Sequence, residues 1–144
     1  MKKKIDLFKS YLIENDSRFT NQKEEIAIAI FKTRGHFEIE NFIDEFRRTN
    51  KKLSRATVYR TVKQLLDANL LQKISTRDGK VFYEHNIPQN HHAHIICNNC
   101  GKIQEIKEQT ISEFINSYCD TLKFTVEYQS VHVYGICKTC NNKV

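Results

Sequence analysis

The segment SRATVYRTVKQLLDANLL, residues 54–71, decides the fold. Val58, Val62 and Leu65 recur at the three- and four-residue spacing of an amphipathic helix, and Ser54 before them is its predicted N-cap. The opposite side is expected to face solvent, and its side chains are basic or hydrogen-bonding: Arg55, Thr57, Arg60, Thr61 and Gln64. The segment therefore predicts a helix that buries one face and presents a basic one.

The neighbouring sequence predicts what surrounds this helix. Residues 70–75 and 81–83 alternate in hydropathy, and the Asp78-Gly79 pair between them supplies the positive φ of a tight hairpin turn. Upstream, three segments with helical periodicity lie near residues 5–13, 20–30 and 39–46, the second with Thr20 as its N-cap. Helices followed by a hairpin with a basic tip predict a winged helix-turn-helix, although a helix–hairpin unit without a nucleic acid partner has the same pattern.

The charge of the chain is unevenly distributed. Residues 1–88 contain 18 Lys and Arg against 12 Asp and Glu, whereas the remainder has 5 against 5, so the whole net charge of +6 lies in the first part. This favours an anionic partner, with double-stranded DNA as the leading candidate and a solvated basic face as the alternative. No apolar run is long enough to span a membrane and no signal peptide is evident, so we expect a cytoplasmic protein.

Four of the five cysteines form two CxxC pairs, Cys97 with Cys100 and Cys137 with Cys140. Four thiolates complete a tetrahedral zinc shell without an open position, which is typical of a structural site in a reducing compartment. Between the pairs, residues 111–122 predict an amphipathic helix and residues 124–135 predict one long strand or two short ones. Cys119 lies on the apolar side of that helix, and we expect a buried structural thiol.

Three histidines precede the first CxxC pair in the segment HHAHIIC, residues 91–97. On a strand, His92 and His94 would share one face, and His91 would share the other face with Ala93. Two imidazoles on one face make half of a transition-metal site. A solvated histidine-rich loop is an equally good interpretation of these residues alone.

The segment SRATVYRTVKQLLDANLL, the hairpin and HHAHIICNNCGKIQE, residues 91–105, together resemble the ferric uptake regulator family of bacterial metalloregulators. The resemblance extends over residues 20–140 and implies an α+β fold. An N-terminal winged helix-turn-helix, residues 1–84, would be followed by a hinge, residues 85–90, and a small α/β dimerisation and metal-binding domain with the four-cysteine zinc site, residues 91–144.

The resemblance implies that the helix after Ser54 is the recognition helix and that Tyr59 and Arg60 contact bases or phosphates. The wing would reach phosphates. The full set of predicted DNA contacts is Arg55, Thr57, Tyr59, Arg60, Arg77 and Lys80.

The resemblance also implies a regulatory metal site. Its ligands would be His36, Glu84, His92, His94 and Glu105. The spacing from Glu84 to the histidines is one residue longer than expected, which makes His85 an alternative ligand. Such a set suits Fe(II), Mn(II), Co(II) or Zn(II), and iron is the commonest signal of the family. The implied function is an iron-dependent repressor that acts as a homodimer on palindromic operators, with metal binding fixing the angle between its domains.

A second regulatory site, frequent in the family, lacks most of its expected ligands. His91 matches, but Ala93, Ser112 and Gln129 stand where an aspartate, a glutamate and a histidine are expected. We therefore expect this site to be absent or weakened, with Glu113 and His132 as possible substitutes.

Three other functions compete with iron sensing. A peroxide-sensing repressor of the family typically carries aspartates at the positions of Glu84 and Glu105, so the two glutamates favour metal sensing, and a zinc-uptake regulator is the other related candidate. A zinc-dependent enzyme belongs to a different class and needs an open metal position. The closed cysteine set, and the lack of a phosphate-binding loop or nucleophile motif, predict that the protein is not an enzyme and has no small organic substrate.

Overall fold

The computed structural model of the chain describes residues 1–49, 52–85, 93–106, 109–126 and 129–142. The chain divides into two compact units, one of Met1–Ile74 with Val81–Asn86 and one of Ser75–Lys80 with Ile87–Val144. Residues 86–90 of the predicted hinge lie outside the described residues, and the predicted domain limits stay a prediction. In the described part of the chain, no helix is long and apolar enough to cross a membrane.

Four helices build the first unit: α1 (Lys2–Glu14), α2 (Asn21–Lys32), α3 (Ile39–Thr49) and α4 (Arg55–Asp67). Their buried apolar residues recur at helical spacing and form one core, which includes Phe8, Leu12, Ile26, Ile30, Ile43, Val58 and Leu65. The Thr20 side chain accepts a hydrogen bond from the Lys23 amide at 3.3 Å and caps α2 as predicted. The core contacts of Val58 and Leu65 hold α4 in place, and the opposite side of this helix carries the predicted DNA contacts.

Two details of α4 differ from the expectation. Thr61, assigned to the solvent side, is fully buried, because it lies three residues after Val58 and four before Leu65 on the buried face of α4. Its hydroxyl donates to the Thr57 carbonyl one turn earlier at 2.8 Å, so this buried polar group has a hydrogen-bond partner. Ser54 occupies the N-cap position, but within the described residues its side chain makes no capping hydrogen bond.

The predicted hairpin is present as β1 (Leu71–Ser75) and β2 (Val81–His85), which form a two-stranded sheet. Gly79 in the turn has φ +83°, the left-handed conformation expected from the Asp-Gly pair. Strand β2 also pairs with the segment before α3, since the amides of Phe37 and Tyr83 each donate to the other's carbonyl at 2.9 and 2.8 Å. This bridge places the residues next to Phe37 and Tyr83 side by side.

The second unit is organised around a three-stranded sheet in the order β4–β3–β5, composed of β3 (Ala93–Cys97), β4 (Ile103–Ile106) and β5 (Val131–Gly135). The central strand β3 is antiparallel to β4 and parallel to β5. A helix, α5 (Gln109–Thr121), precedes β5, and a short helix, α6 (Lys138–Asn141), follows it. The described residues of 124–135 thus contain one short strand, because only residues 131–135 pair with β3.

The apolar side of α5 is open in the single chain. Phe114 is 72% exposed, and Tyr118 and Leu122, at helical spacing from it, are exposed as well. Cys119 is only half-buried, so the prediction of a buried thiol is wrong. The apolar face of α5 is therefore not covered by the described part of its own unit.

Candidate metal centres and nucleic-acid interface

The structure brings the four CxxC cysteines together within the second unit. Cys97 ends β3, Cys100 lies in the following turn, Cys137 precedes α6 and Cys140 lies within it. Their four sulfur atoms all lie within 4.8 Å of one another. Gly101, with φ +71°, closes the first turn by donating from its amide to the Cys97 carbonyl at 2.9 Å. Two tight turns thus aim four thiols at one point.

The donor set and its spacing fit zinc. Cys100 Sγ lies 3.8 Å from Cys137 Sγ, and a tetrahedral ion with zinc–sulfur bonds of about 2.3 Å separates its sulfur atoms by about 3.8 Å. Backbone amides also stabilise negative sulfur here. The Cys137 amide donates to Cys97 Sγ at 3.3 Å, and with the Cys100 amide it lowers the pKa of Cys97 to about 6.

The thiols do not all ionise easily without a cation. Hydrogen bonds to the Cys137 and Cys100 sulfurs raise the pKa of Cys140 to about 12. Four thiolates so close together repel one another, and a divalent ion offsets that repulsion. The chemistry of the cluster therefore matches a closed metal site with no position for a substrate.

A histidine–carboxylate pair lies in the first unit. His36 Nε2 is 2.7 Å from a Glu84 oxygen, because the backbone bridge between Phe37 and Tyr83 sets the two neighbouring residues side by side. Glu84 is buried, and its second oxygen accepts a hydrogen bond from the Gln72 amide on β1. A carboxylate oriented in this way has the geometry of a metal ligand with a supporting partner.

His85, the alternative to Glu84, is directed elsewhere in the first unit. Its Nε2 lies 2.7 Å from the Ile30 carbonyl oxygen, and since a carbonyl only accepts, Nε2 carries the proton. The ring also contacts Phe31 edge-to-face, with centroids 5.7 Å apart. Burial lowers the pKa of His85 and favours the neutral ring. These contacts describe a packing histidine.

A second pair lies in the sheet of the other unit. His94, the second residue of β3, is in register with Glu105 on β4 and with His132 on β5. The His94 and His132 rings meet at a centroid distance of 5.4 Å. His92 and His91 lie outside the described residues, so the structure does not describe the predicted pairing of His92 with His94.

Two of the three residues predicted to weaken a second regulatory site form a neutral pair. The Gln129 amide donates to the Ser112 hydroxyl, and Ala93 is buried. His132, suggested as a substitute ligand there, is in register with His94 and not with Ala93, so it lies on the other face of the sheet. The suggestion of His132 for the second site is therefore wrong.

The predicted DNA contacts on α4 are accessible. Arg55 and Arg60 are exposed, Thr57 is half-buried, and Tyr59 is 44% exposed. Glu40 on α3, which sequence reasoning missed, accepts hydrogen bonds from both Arg55, at 2.6 Å, and the Tyr59 hydroxyl. The bond to Glu40 raises the pKa of Tyr59. Glu40 lies 15 and 19 positions from these partners, so no local pattern reveals the contact.

The predicted wing contacts lie in the turn of the hairpin. Arg77 and Lys80 are both exposed. The turn is held by the buried Thr76, whose amide donates to the Lys80 carbonyl at 2.9 Å and whose hydroxyl donates to Asp78. The hydroxyl contact lowers the pKa of Asp78. Both cations are thus carried on an ordered turn.

The sequence comparisons agree with the geometry. Residues 14–142 match the model of the Ferric uptake regulator family. The ferric uptake regulation protein of Campylobacter upsaliensis is 30% identical over 142 residues, which cover 96% of this chain and 90% of that protein. A peroxide-responsive repressor of Staphylococcus aureus is 24% identical over 126 residues, covering 88% of this chain and 84% of the repressor.

The fold also matches a solved structure. The ferric uptake regulator of Helicobacter pylori superposes with a TM-score of 0.74 at 24% identity, covering 97% of this chain and 93% of the other. The predicted architecture, a winged helix-turn-helix followed by a small α/β domain with a four-cysteine cluster, is confirmed. Members of the family are metal-responsive transcriptional regulators and not enzymes. The chain therefore belongs to the ferric uptake regulator family.

Proposed function

We propose that the protein is an iron-dependent transcriptional repressor that binds palindromic DNA operators as a homodimer. The observation that carries the proposal is the pairing of an imidazole with a carboxylate in each unit, His36 with Glu84 and His94 beside Glu105. Fe(II), Mn(II) and Zn(II) all accept such nitrogen and oxygen donors. Among these ions, the name of the Campylobacter relative favours iron.

The regulatory ion would take its ligands from His36, Glu84, His92, His94 and Glu105, as the family resemblance implies. The contact of His85 with the Ile30 carbonyl supports Glu84 as the ligand. Because ligands from both proposed domains would bind one ion, metal binding would favour the arrangement that fits DNA. An ion that favours this state 100-fold contributes about 2.7 kcal/mol, enough to shift a balanced population almost completely.

The thiols of Cys97, Cys100, Cys137 and Cys140 would hold a permanent zinc ion. When bound, this ion supplies a cross-link and offers no position for chemistry. Cys97 and Cys100 flank the turn that leaves β3, whereas Cys137 and Cys140 bracket the start of α6. The protein's own contribution is to aim the four sulfurs with backbone hydrogen bonds from the two turns.

DNA binding would use α4 as the recognition helix. Arg55, Thr57, Tyr59 and Arg60 would face bases and phosphates in the major groove, and Arg77 and Lys80 on the hairpin turn would contact phosphates. Arginine pairs with guanine through two hydrogen bonds, and a tyrosine ring packs against thymine methyl groups. The exposure of Arg55, Tyr59 and Arg60 supports this role.

The homodimer would be formed through the second unit. Phe114 and Tyr118 on α5, with Leu122 directly after its last residue, form an exposed apolar stripe that a second copy of the chain would cover. A two-fold symmetric dimer places two recognition helices at the half-sites of a palindrome, about one helical turn or a multiple apart.

The test is a DNA-binding titration at fixed salt. The zinc-containing protein, freed of weakly held ions by a mild chelator, is titrated with Fe(II), Mn(II) or Zn(II) in separate experiments. We expect Fe(II) to increase affinity for a duplex selected from a random-sequence pool at least tenfold. Unchanged affinity with every ion would overturn the metal-dependent mechanism, and a response confined to trace Zn(II) would identify a zinc-uptake regulator.

A peroxide-sensing repressor is the second candidate, and the similarity to the Staphylococcus aureus peroxide-responsive repressor favours it. Glutamates at positions 84 and 105 count against it, because the resemblance implies aspartates in peroxide sensors. Mass spectrometry of the iron-loaded protein after exposure to peroxide separates the two. Addition of one oxygen atom to His36 or His92 in stoichiometric yield would establish peroxide sensing.

A further inference from the structure

Glu40 is an acidic residue that contacts two of the predicted DNA-binding residues of the first unit. Its carboxylate oxygens are divided between two residues of α4, one accepting from Arg55 Nη2 at 2.6 Å and the other from the Tyr59 hydroxyl. Arg55 and Tyr59 are four residues apart, so they project from the same side of α4. One carboxylate from α3 therefore holds two side chains that the resemblance assigns to DNA.

The contact contributes little to folding. The Arg55 and Glu40 side chains are 53% and 43% exposed, and exposed ion pairs of this kind add little to stability because water and salt screen them. The geometry has a larger effect on the orientation of the two donors. An arginine held in one direction by a carboxylate loses less rotamer freedom when it binds a ligand than an arginine that samples many rotamers.

The direction of the Tyr59 hydrogen bond also matters. Because the hydroxyl donates to Glu40, its proton points toward α3 and its oxygen lone pairs remain as acceptors. The outward-facing group that Tyr59 offers is then an acceptor, which suits the exocyclic amines of cytosine or adenine in the major groove. Without Glu40, the hydroxyl is free to donate to any phosphate.

The negative charge of Glu40 also favours base recognition over binding through phosphates alone. A carboxylate beside Arg55 offsets the charge with which that arginine attracts phosphates, and DNA repels the carboxylate itself. Binding that depends only on phosphate contacts is weakened. Binding that satisfies Arg55 and Tyr59 with matched base edges retains the benefit of their orientation.

We propose that Glu40 is a positioning residue that fixes Arg55 and Tyr59 for base recognition and reduces binding to non-cognate DNA. The proposal rests on the proposed DNA-binding function and adds a specificity determinant to it. Glu40 would act through its two partners, without a base contact of its own.

The experiment compares the Mn(II)-loaded wild-type chain with Glu40→Gln, which removes the charge and nearly preserves the size. Fluorescence anisotropy measures the affinity for two duplexes of equal length, one selected by the wild type from a random-sequence pool and one of random sequence, over a range of salt. We expect the ratio of the two affinities to fall about tenfold, the loss of one good base contact. For the random duplex, the slope of the logarithm of affinity against the logarithm of salt concentration should become steeper by about 0.9 for each bound recognition helix, the effect of one more phosphate contact.

Asp44→Asn is the matched control. Asp44 lies one turn after Glu40 on α3, is exposed, and within the described residues forms no ion pair. The substitution changes the charge by the same amount, so the ratio of affinities should stay within about twofold of wild type. Equal changes in both variants would overturn positioning, since charge alone would then explain them.

A second readout checks the contact itself. In Glu40→Gln the pKa of Tyr59, followed by NMR of ring-labelled tyrosine, should fall toward the ordinary value for tyrosine. An unchanged Tyr59 titration would overturn the proposal. A wild type that selects no sequence would overturn the proposed function and the role of Glu40 together, whereas a selective wild type with an unchanged ratio in Glu40→Gln would overturn the role of Glu40 alone.

Discussion

Cys100 Sγ lies 3.8 Å from Cys137 Sγ although 37 positions separate the two residues in the sequence. The intervening chain contains β4, α5 and β5. A metal ion that joins the two sulfurs closes the loop that contains these elements. The stability of the second unit should therefore depend on that ion, because the described residues of this unit form a sheet of three short strands and leave the apolar face of α5 uncovered.

Cys100→Ser should abolish zinc binding and unfold the second unit. The remaining three thiols cannot complete the tetrahedral shell, and loss of a structural zinc ion removes much of the folding free energy of a small domain. Metal analysis should find no bound zinc, and the NMR chemical shifts of β3 and β5 should move to random-coil values. Cys119→Ser, outside the cluster, is the control and should retain zinc. A folded, zinc-containing Cys100→Ser protein would contradict the assignment.

Glu84→Gln should weaken regulatory metal binding about 10- to 100-fold, because a neutral amide is a poorer ligand than a carboxylate and the contact with His36 loses its charge. Isothermal titration calorimetry with Mn(II), on protein whose zinc site is fully occupied, measures the change in metal affinity. His85→Asn is the control. It should destabilise the first unit, since the ring packs on Phe31, while metal affinity stays within a few-fold of wild type. The opposite ranking would make His85 the ligand.

Leu65→Ala should destabilise the first unit by about 2–5 kcal/mol, because Leu65 is fully buried and its truncation leaves a cavity in the helical core. Urea unfolding followed by circular dichroism gives the change in free energy. Leu7→Ala makes the same substitution at a residue that is 51% exposed, and it should cost less than about 1 kcal/mol. Equal losses in the two variants would contradict the core described for this unit.

Thr76→Val should raise the pKa of Asp78 toward its ordinary value, because the Thr76 hydroxyl bond is the main cause of the lowered pKa. A lowered pKa in the folded state adds stability that is present above the unfolded pKa of about 3.9 and is lost as pH falls through the folded pKa. In Thr76→Val this acid-dependent loss of stability should become smaller, since the backbone amides and the charge of Lys80 still lower the pKa of Asp78. NMR titration of the side-chain carboxyl measures the pKa of Asp78. Ser75→Ala is the neighbouring control and should leave that pKa unchanged. An identical titration of Asp78 in Thr76→Val would show that the hydroxyl contact has no effect.

Phe114→Ser should weaken the proposed homodimer, since it removes the most exposed aromatic ring from the apolar stripe of α5. Sedimentation velocity over a range of protein concentrations should show more monomer, with a monomer–dimer dissociation constant at least tenfold higher than that of the wild type. Glu113→Ser, at the adjacent exposed position, should leave the dimer intact. An unchanged dimer in Phe114→Ser would mean that another surface pairs the chains.

Local patterns in the sequence were sufficient for much of the fold. The periodicity of Val58, Val62 and Leu65 predicted α4, the Asp78-Gly79 pair predicted the hairpin turn, and the CxxC spacing predicted the thiol cluster. The helix and the turn depend on residues within a few positions of one another, and the thiol cluster depends on the four-coordinate geometry of one ion. The described extent of β5, residues 131–135, was not predictable from the local pattern, because the limits of a strand depend on the strand with which it pairs, here β3.

The error at Thr61 is local, since this residue lies at helical spacing from Val58 and Leu65 on the buried face, where its hydroxyl donates to the Thr57 carbonyl. The other missed features depend on distant contacts. Glu40 reaches Arg55 and Tyr59 only because α3 packs beside α4. The bridge between Phe37 and Tyr83 likewise joins a loop and a strand that are 46 positions apart, so the meeting of His36 and Glu84 has no sequence signal outside the family resemblance.

Strand β3 carries His94 at its second position and Cys97 at its end. If Cys97 binds the structural ion and His94 the exchangeable one, a preparation that has lost part of its zinc contains two populations, and only one has an ordered β3. A dose–response curve for the regulatory metal would then be biphasic, with a plateau set by zinc content. Strong chelators and thiol oxidants would mimic metal starvation by disordering the strand, so apparent metal sensitivity would also report the redox history of the sample.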